Sequence, residues 1–497
     1  MTRIALSLVS HTNAGKTTLA RTLLQRDVGE VRDAPHVTEF AEEHRLLRSA
    51  AGDELLLWDT PGFGDTVRLL ARLKHDGTTL GWFLSEVWDR WRDRPFWASQ
   101  QALRHVRERS DVVLYLVSAA ESPEAAAYVP AEMQLLAWMD KPVIVLLNQL
   151  GALRQPHEEA ADVLRWEQHL RPWPRVAGVL PLDAFARCWV QEGTLWRTVR
   201  EVLPPEPARA MARLERAWFD ARLAVFERSV QSLARTLGRV AATRVPLDAP
   251  QGIGESLRQL PARLTQRLRA AAGDAPGDDA SAVAQRRLLD ALDADVRAGT
   301  AELIALHGLD GQAEGEILAR VARQIDVGAR IDEGRAAVLG GVLTGALAGL
   351  KADIASGGLT LGGGLIAGGV LGALGAAGLA RGVNVMRGGG PAWAGWSVAA
   401  MTPLVEAALL RYLAVAHFGR GRGQWAQGEA PAHWQALVQD VLVERQAAFT
   451  ALWKSRGSVL DADGESQRLA SALQPLLDDA LREVLRRLYP QARLSGD

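Results

Sequence analysis

This sequence contains one cysteine and five lysines, and its net charge is close to zero. With a single cysteine, Cys188, the chain cannot form an intrachain disulfide or a thiolate metal site. The sequence also lacks an HExxH motif, the pattern of one common class of zinc site. Basic and acidic residues number 57 and 58, and the net charge of −1 excludes a global field that attracts nucleic acid or an anionic membrane. The first residues lead into a predicted strand and not into an export signal. We therefore expect a cytoplasmic protein, and nucleic acid is not an expected partner.

The length indicates more than one domain. A chain of 497 residues exceeds a single hydrophobic core, which rarely grows beyond roughly 250 residues. A proline-rich stretch at 203–207 breaks the chain. We therefore predict a first domain at 1–204, with an inserted helical segment at 64–110, and a second domain at 205–497.

A strand, a short loop and a helix are predicted at the start of the chain. An apolar run at 3–9 has strand length, the letters SHTNAGKT occupy 10–17, and an apolar helical pattern continues to residue 24. This order places backbone N–H groups and the positive end of a helix dipole around one point, which suits a pyrophosphate. The predicted phosphate-binding residues are Ser10, His11, Thr12, Asn13, Ala14, Gly15, Lys16, Thr17 and Thr18.

Three of these residues have distinct predicted roles. Lys16 would reach the β and γ phosphates as a compact charge, and Thr17 would place its hydroxyl on Mg²⁺. Gly15 permits a close backbone approach that a side chain would block. Ser10 departs from the glycine of the usual motif.

A second motif, DTPG, follows an apolar strand predicted at 54–58. Asp59 is placed to bind the metal, and Gly62 to offer its backbone N–H to a γ phosphate, so that the next loop senses this phosphate. Thr38 is the candidate switch threonine that also contacts Mg²⁺. The alternative for Thr38 is an ordinary solvated loop residue.

Further strands are predicted at 41–47, 111–118, 142–148 and 176–182. Continuous apolar runs such as 111–118 are typical of strands that helices cover on both faces. The sequence therefore predicts an α/β domain with a mostly parallel sheet, followed by a mostly α-helical domain.

Four stretches together resemble one protein family: SHTNAGKT, DTPG, LDAFARCWVQE from Leu182 and AVAHFGRGRG from Ala414. The sequence resembles bacterial proteins in which a TrmE/Era-type GTPase domain precedes a DUF3482 domain. The resemblance spans nearly the whole chain. It implies a P-loop fold of the TRAFAC class that binds GTP or GDP with Mg²⁺ and hydrolyses GTP as a molecular switch.

Two positions refine the expected hydrolysis. In the related GTPases an asparagine at the position of Asn13 can hold K⁺ beside the phosphates; the alternative is that Asn13 only caps or turns the loop. Phe63 stands where many regulatory GTPases have a catalytic glutamine. Because an apolar side chain cannot orient water, we expect slow intrinsic hydrolysis.

The base-recognition motif NKxD of GTPases is incomplete. The letters NQLG at 148–151 lack both its lysine and its aspartate. Asn148, Asp183 and Ala184 are the candidate base contacts, and a preference for GTP over ATP rests on the resemblance.

Tryptophan is concentrated after the DTPG motif. Of 16 tryptophans, Trp82, Trp88, Trp91 and Trp97 lie in the insert, and the apolar residues around them recur at helical spacing. Two interpretations are open: packing against the second domain, or a position in a membrane interface. In either case the insert adjoins the predicted switch loop and could transmit the nucleotide state.

The second half predicts long helices at 208–244 and 252–330 and a glycine-rich hairpin at 336–390. The uncharged run at 354–380 is long enough to cross a hydrocarbon core of about 30 Å. Rows of small residues let two helices approach closely. The hairpin can therefore lie in lipid or be buried in a soluble helical domain.

The predicted partners follow from these alternatives. A regulatory GTPase would act on an unidentified protein, whereas a dynamin-like or structural membrane protein would assemble, as a homo-oligomer or otherwise, at the cytoplasmic face of the inner membrane. A ribosome-associated GTPase is a third alternative. The basic run at 419–423 could contact acidic headgroups or RNA, or form an ordinary turn.

Overall fold

The computed structural model describes most of the chain in separate stretches. They are residues 1–11, 14–24, 42–60, 63, 66–75, 94–150, 155–183, 188–246, 278–309, 383–386, 393–417, 432–457 and 462–490.

The first sheet has six strands. They are β1 (Arg3–Ser10), β2 (Glu42–Arg48), β3 (Glu54–Asp59), β4 (Val112–Ser118), β5 (Val143–Asn148) and β6 (Val176–Pro181). Their order across the sheet is β2-β3-β1-β4-β5-β6. All neighbours pair in parallel except β2, which is antiparallel to β3. The prediction of a mostly parallel sheet is confirmed.

Burial on both faces explains the sequences of the central strands. The first six residues of β4 and all six of β5 are buried, because helices cover both sides of the sheet. Ser10, Asp59, Ser118 and Asn148 are the last residues of four parallel strands. They therefore lie at one edge of the sheet, the edge at which α/β proteins bind their ligands.

Within the described residues, six helices accompany this sheet. They are α1 (Lys16–Leu24), α2 (Thr66–His75), α3 (Arg94–Arg109), α4 (Val129–Met139), α5 (Pro156–Leu170) and α6 (Trp189–Val202). One side of the sheet forms an apolar core in which Phe63, Leu103, Tyr115, Met133 and Val145 are buried. Such burial is the main stabilising contribution to the fold.

The remaining helices form the helical region that the sequence predicts. They are α7 (Pro205–Ala242), α8 (Asp278–Leu306), α9 (Val398–Ala416), α10 (Ala432–Glu444), α11 (Gln446–Lys454) and α12 (Ala462–Leu488).

A small antiparallel sheet was not predicted. Its strands β7 (Arg244–Pro246), β8 (Val383–Met386) and β9 (Trp393–Trp396) have the order β7-β9-β8. At Gly395 a Cβ atom would lie 2.9 Å from the Trp393 ring and 3.3 Å from the Arg244 side chain. Strands of three or four residues are too short for an alternating pattern to be recognised in the sequence.

The chain divides into two compact units. The first unit comprises Met1–Val225, Ala416–Pro431 and Leu485–Asp497, and the second comprises Phe226–Val415 and Ala432–Val484. Each unit thus draws on stretches that are distant in sequence.

Within the first unit, residues from the far end of the chain form a pair in which His417 is buried and Tyr489 is half-buried. The Nε2 atom of His417 lies 2.6 Å from the Tyr489 hydroxyl, and the two rings are stacked. Burial, followed by the negative potential of Cys188 and Glu159, raises the pKa of Tyr489 well above its ordinary value.

Asp53, which is buried just before β3, is another anchor of the first unit. Its carboxylate accepts hydrogen bonds from the Thr2 backbone N–H at 3.0 Å and from Arg213 Nε at 2.7 Å. The Ser49 hydroxyl donates a further bond at 3.1 Å. The hydrogen bond from Arg213 is the largest contribution that lowers the pKa of Asp53 to about 2.

In the second unit, α9 is long and apolar enough to cross a membrane by length and composition, and 72% of its most apolar stretch is buried in the protein. It carries a buried arginine, Arg411, which donates hydrogen bonds to the Val296 carbonyl and the Thr300 hydroxyl of α8. This burial is typical of the core helix of a helical domain.

Three predicted features lie outside the described residues. They are the tryptophan-rich segment at 76–93, most of the glycine-rich hairpin at 336–390, and the basic run at 419–423.

Candidate functional site

The loop between β1 and α1 lies at the ligand-binding edge of the sheet. Gly15 has a φ of +86°, a backbone conformation that favours glycine. Its carbonyl accepts the backbone N–H of Leu19 at 2.9 Å, the first bond of the helical ladder. The amides at the start of α1 precede this ladder and can bind an anion. Thr18 is buried on the same helix.

Lys16 directs its charge toward the end of β1. Its Nζ atom donates a hydrogen bond to the Ser10 hydroxyl at 3.1 Å. Burial lowers the pKa of Lys16, and the nearby carboxylates Asp59 and Glu132 oppose this shift. Because burial disfavours an ammonium ion, a phosphate beside Lys16 would stabilise its charged form.

Thr17 and Asp59 meet at the same edge. The Thr17 hydroxyl donates a hydrogen bond to the Asp59 carboxylate at 2.7 Å, and Asp59 is 3% exposed. The hydroxyl of Thr60, the next residue, donates to the Leu8 carbonyl of β1 at 2.6 Å and so fixes this corner. A hydroxyl and a carboxylate are hard oxygen ligands, which suit Mg²⁺.

The described stretches contain no cluster of three or more histidine, cysteine, aspartate or glutamate side chains that could hold a metal ion. A Mg²⁺ ion at Thr17 and Asp59 would therefore need further oxygen ligands. Mg²⁺ commonly takes one or two protein ligands and completes its octahedron with waters and substrate phosphates. The residues present fit that mode of binding.

Asn148 connects the end of β5 to the phosphate-binding loop. Its side-chain amide donates a hydrogen bond to the Ala14 carbonyl at 2.8 Å. A Cβ atom added to Gly15 would lie 2.7 Å from the same amide nitrogen. Asn148 therefore restrains the loop by both a bond and a close contact.

The loop after β5 is held by Asp183. Gln149 adopts a left-handed conformation with a φ of +57°, and the backbone N–H of Leu150 donates to the Asp183 carboxylate at 2.7 Å. Asp183 is 3% exposed. The structure thus brings together the end regions of β5 and β6 that carry two of the candidate base contacts.

Glu132, which was not among the predicted site residues, is a fully buried carboxylate in the first turn of α4. Its Oε1 atom lies 2.8 Å from His11 Nδ1 and accepts from the Thr66 hydroxyl at 3.4 Å. Its Oε2 atom accepts from the Tyr115 hydroxyl at 2.6 Å. The His11 ring stacks on Tyr128, with centroids 4.4 Å apart.

These contacts perturb the protonation of both neighbours. The hydrogen bond to Glu132 raises the pKa of His11, although burial opposes it. Burial and Glu132 raise the pKa of Tyr115 well above its ordinary value. One feature of the sequence could have revealed Glu132, because it is the one charged residue of the helix VPAEMQLLAWM. A carboxylate in such an apolar helix commonly has a specific buried partner.

Phe63 lies in the apolar core and is 1% exposed, and its backbone N–H donates to the Ser10 carbonyl at 3.3 Å. Five predicted site residues lie outside the part of the chain that the structure describes. They are Thr12, Asn13, Thr38, Gly62 and Ala184. Their roles stay predictions.

Residues 5–149 match the family model described as 50S ribosome-binding GTPase. A comparison with curated proteins finds no match. The matched residues contain most of β1, all of β2 to β5, the phosphate-binding loop and Asp59. The sheet and its helices match a P-loop GTPase domain, and this match supports a GTP-binding protein.

Solved structures of Era are also similar to this chain. Era from Aquifex aeolicus, in a substituted form bound to GDP and AlF4⁻, has 18% sequence identity and a TM-score of 0.29. Era in complex with MgGDPNP and nucleotides 1506–1542 of 16S ribosomal RNA has 17% identity and a TM-score of 0.30. Each match covers 41% of this chain and 58% of the solved chain, less than two thirds of its length. Both TM-scores are low.

Proposed function

We propose that this protein binds GTP with Mg²⁺ and hydrolyses it as a molecular switch. The observation that carries the proposal is the convergence of Lys16, Thr17 and Asp59, two of which are joined by a hydrogen bond across 42 positions of the chain. We further propose that residues 1–204 are a TrmE/Era-type domain and that residues 205–497 are a DUF3482-like domain.

The described side chains have complementary roles in this proposal. Lys16 neutralises phosphate charge, and the amides at the start of α1 hold phosphate oxygens. Thr17 and Asp59 hold Mg²⁺, which supplies positive charge to the phosphates when it is bound. Asn148 and Asp183 shape the pocket for the base.

The remaining roles are proposed from the sequence. Thr12 and Asn13 complete the phosphate loop, and Asn13 also seats K⁺. Thr38 and Gly62 sense the γ phosphate, and Ala184 lines the base pocket. Hydrolysis is slow, because Phe63 is apolar and buried and cannot orient water.

The output of the switch is proposed to pass through the helical domain to a protein partner or to the cytoplasmic face of the inner membrane, and a homo-oligomer is compatible with both. The support for a membrane is the uncharged run at 354–380. A dynamin-like assembly is the corresponding alternative.

A ribosomal partner is the second candidate, and the description of the matched family favours it. Co-sedimentation with ribosomes and with liposomes, each with GDP and with a non-hydrolysable GTP analogue, distinguishes the two outputs. Sedimentation of the protein with ribosomes but not with liposomes supports the second candidate.

The direct test of nucleotide binding is Lys16→Ala, measured with fluorescent GTP and ATP analogues. Loss of a buried charged partner costs about 2–5 kcal/mol, so we expect affinity to fall about 30-fold or more. The matched control is Lys454→Ala on the exposed side of α11, which should bind like the parent.

Two results would contradict the proposal. Unchanged affinity in the Lys16 variant would contradict the proposed nucleotide site. Equal affinity of the parent for GTP and ATP would contradict the proposed guanine specificity.

A further inference from the structure

We infer that Arg244 and Arg456, at the small antiparallel sheet of the second unit, form a binding site for a phosphate group. The ligand is a phosphate monoester, carried by a lipid headgroup, or free inorganic phosphate. The phosphate-binding loop after β1 belongs to the first unit, so this is a second anion site, and it does not depend on the proposed function.

Arg244, the first residue of β7, is held in one orientation by neutral groups. Its Nη1 atom donates hydrogen bonds to the backbone carbonyls of Ala241 and Thr243 at 2.9 and 3.0 Å. The guanidinium lies over the ring of Trp393 in β9, 4.4 Å from the ring centroid. These contacts fix the half-buried side chain, but they leave its positive charge without a carboxylate partner.

Arg456, which follows α11, is held in a similar way. Its Nε atom donates to the Trp453 carbonyl at 2.8 Å, and its Nη1 atom donates to the Trp396 carbonyl at 2.9 Å. Both tryptophans are 2% exposed, and their indole Nε1 atoms have no hydrogen-bond partner among the described residues. Buried donors without partners are rare in proteins. Unsatisfied donors therefore belong to the two residues that hold Arg456.

Glu465, in the first turn of α12, is the carboxylate whose charge acts on both arginines within the described stretches. Its oxygens are already bonded. They accept hydrogen bonds from Nε and Nη2 of Arg468 at 2.8 Å each and from the Gly457 backbone N–H at 2.9 Å. Three guanidinium groups therefore share one carboxylate, which leaves an excess of two positive charges.

This excess charge is costly in the absence of an anion. Burial, followed by the positive charge of Arg244, lowers the pKa of Arg456 to about 10. Burial also lowers the pKa of Arg244, and Glu465 opposes that shift. Both arginines remain charged at neutral pH, and partly buried like charges destabilise each other unless an opposite charge compensates. An anion bound to both arginines would supply that compensation.

The donors that remain on the two arginines favour a phosphate. In the part of the chain that the structure describes, the Nη2 atoms of Arg244 and Arg456 form no hydrogen bond, so each side chain keeps N–H groups for a ligand. Guanidinium groups bind phosphate oxygens in a bidentate manner. A phosphate monoester carries a charge of about −1.5 to −2 at pH 7, which matches the excess of two positive charges. A carboxylate, with one charge, would compensate only half of it.

The test is equilibrium dialysis against radiolabelled inorganic phosphate at constant ionic strength. Every protein carries Lys16→Ala, which removes the phosphate affinity proposed for the loop in the first unit. Arg244→Gln and Arg456→Gln should each weaken phosphate binding about tenfold or more, because each removes charge-assisted hydrogen bonds. Arg287→Gln, at an exposed position of α8, removes the same charge elsewhere in the unit and should leave phosphate affinity unchanged.

Glu465→Gln distinguishes a binding site from arginines that only support the fold. This variant removes the negative charge that competes with the ligand, so it should strengthen phosphate binding about two- to fivefold, the range for a partly exposed charge. If the cluster were only structural, loss of a contact at Glu465 would not increase the affinity for phosphate. Opposite signs at Glu465 and at the two arginines therefore support the inference.

Liposome flotation identifies the source of the phosphate. Vesicles that contain phosphatidic acid present a phosphate monoester, and phosphatidylglycerol vesicles of equal surface charge are the control. Flotation with phosphatidic acid that falls in both arginine variants identifies a lipid headgroup. Phosphate binding in dialysis without such flotation identifies a small soluble phosphate.

The inference is wrong if both arginine variants bind phosphate as tightly as the protein with Arg244 and Arg456 intact, or if that protein binds neither free phosphate nor phosphatidic acid vesicles. If Arg456→Gln does not fold, as judged by circular dichroism, Arg244→Gln and Glu465→Gln decide, and unchanged affinity in both refutes the site. Absence of GTP binding would refute the proposed function and leave this inference in place.

Discussion

Replacing Gly15 with alanine probes how Asn148 restrains the phosphate-binding loop. The new methyl group meets two obstacles. The backbone of residue 15 is left-handed, at a φ of +86°, and the Cβ atom would lie 2.7 Å from the Asn148 amide nitrogen. That amide is fully buried and bonded to the Ala14 carbonyl, so it cannot move away without loss of the bond.

The magnitude is the sum of these effects. A side chain in the left-handed region costs about 1–2 kcal/mol, and disruption of the bond from Asn148 to Ala14 adds about 1 kcal/mol. We therefore expect Gly15→Ala to lower the free energy of unfolding by about 2–3 kcal/mol. In an Asn148→Ala background the second contribution is absent, and the same substitution should cost about 1–2 kcal/mol.

The assay is urea unfolding of the parent, the two single variants and the double variant. The expected coupling of about 1 kcal/mol exceeds the deviation of about 0.3–0.5 kcal/mol that independent sites usually show. Equal costs of Gly15→Ala in both backgrounds would show that Asn148 does not contact the loop, and the account of this restraint would be wrong.

Three other predictions concern stability, hydrolysis and membrane binding. Asp53→Asn should lower unfolding free energy by about 1–2 kcal/mol at neutral pH, less than its pKa shift suggests because Arg213 is half exposed. Because the pKa of Asp53 in the folded protein is lowered to about 2, the difference in unfolding free energy between parent and variant should persist above about pH 4. It should shrink as the pH falls toward 2, which urea midpoints measured over this range will show. The hydrolysis rate should rise when K⁺ replaces Na⁺, and Asn13→Ala should erase the rise; equal parent rates in both salts would exclude a cation site. In liposome flotation, Gly368→Asp should reduce binding by a cost of about 2.5–3.5 kcal/mol if the run lies at the bilayer centre, whereas a parent that never floats excludes the membrane proposal.

The sequence predicts the sheet well because its strands carry a strong local pattern. The central strands β4 and β5 are continuous apolar runs with no competing helical spacing, and their observed bounds differ from the predicted ones by one residue at the start. The SHTNAGKT and DTPG motifs can be recognised for a similar reason, since each begins at the last residue of a strand, Ser10 in β1 and Asp59 in β3.

Contacts that depend on distant residues could not be predicted in the same way. Nothing local to Glu132 indicates that His11 and Tyr115 face it, because those partners are 121 and 17 positions away. The hydrogen bond from Asn148 to Ala14 spans 134 positions. The sequence shows a polar residue, Asn148, at the end of a predicted strand, but it does not show which residue that side chain contacts. The pairing of β7 with β9 likewise joins residues far apart in the chain.

The pair formed by His417 and Tyr489 bears on how the first unit is made in the cell. Residue 225 leaves the ribosome long before Tyr489, and at roughly 5–20 residues per second the delay is of the order of ten seconds or more. During that interval the nascent chain has the strands of its large sheet but lacks the last stretches of the unit that contains it. The apolar surface that those stretches bury is then exposed to water or to a chaperone. Synthesis rate and chaperone supply should therefore influence the yield of this protein more than they influence a protein whose sheet domain is contiguous in the chain.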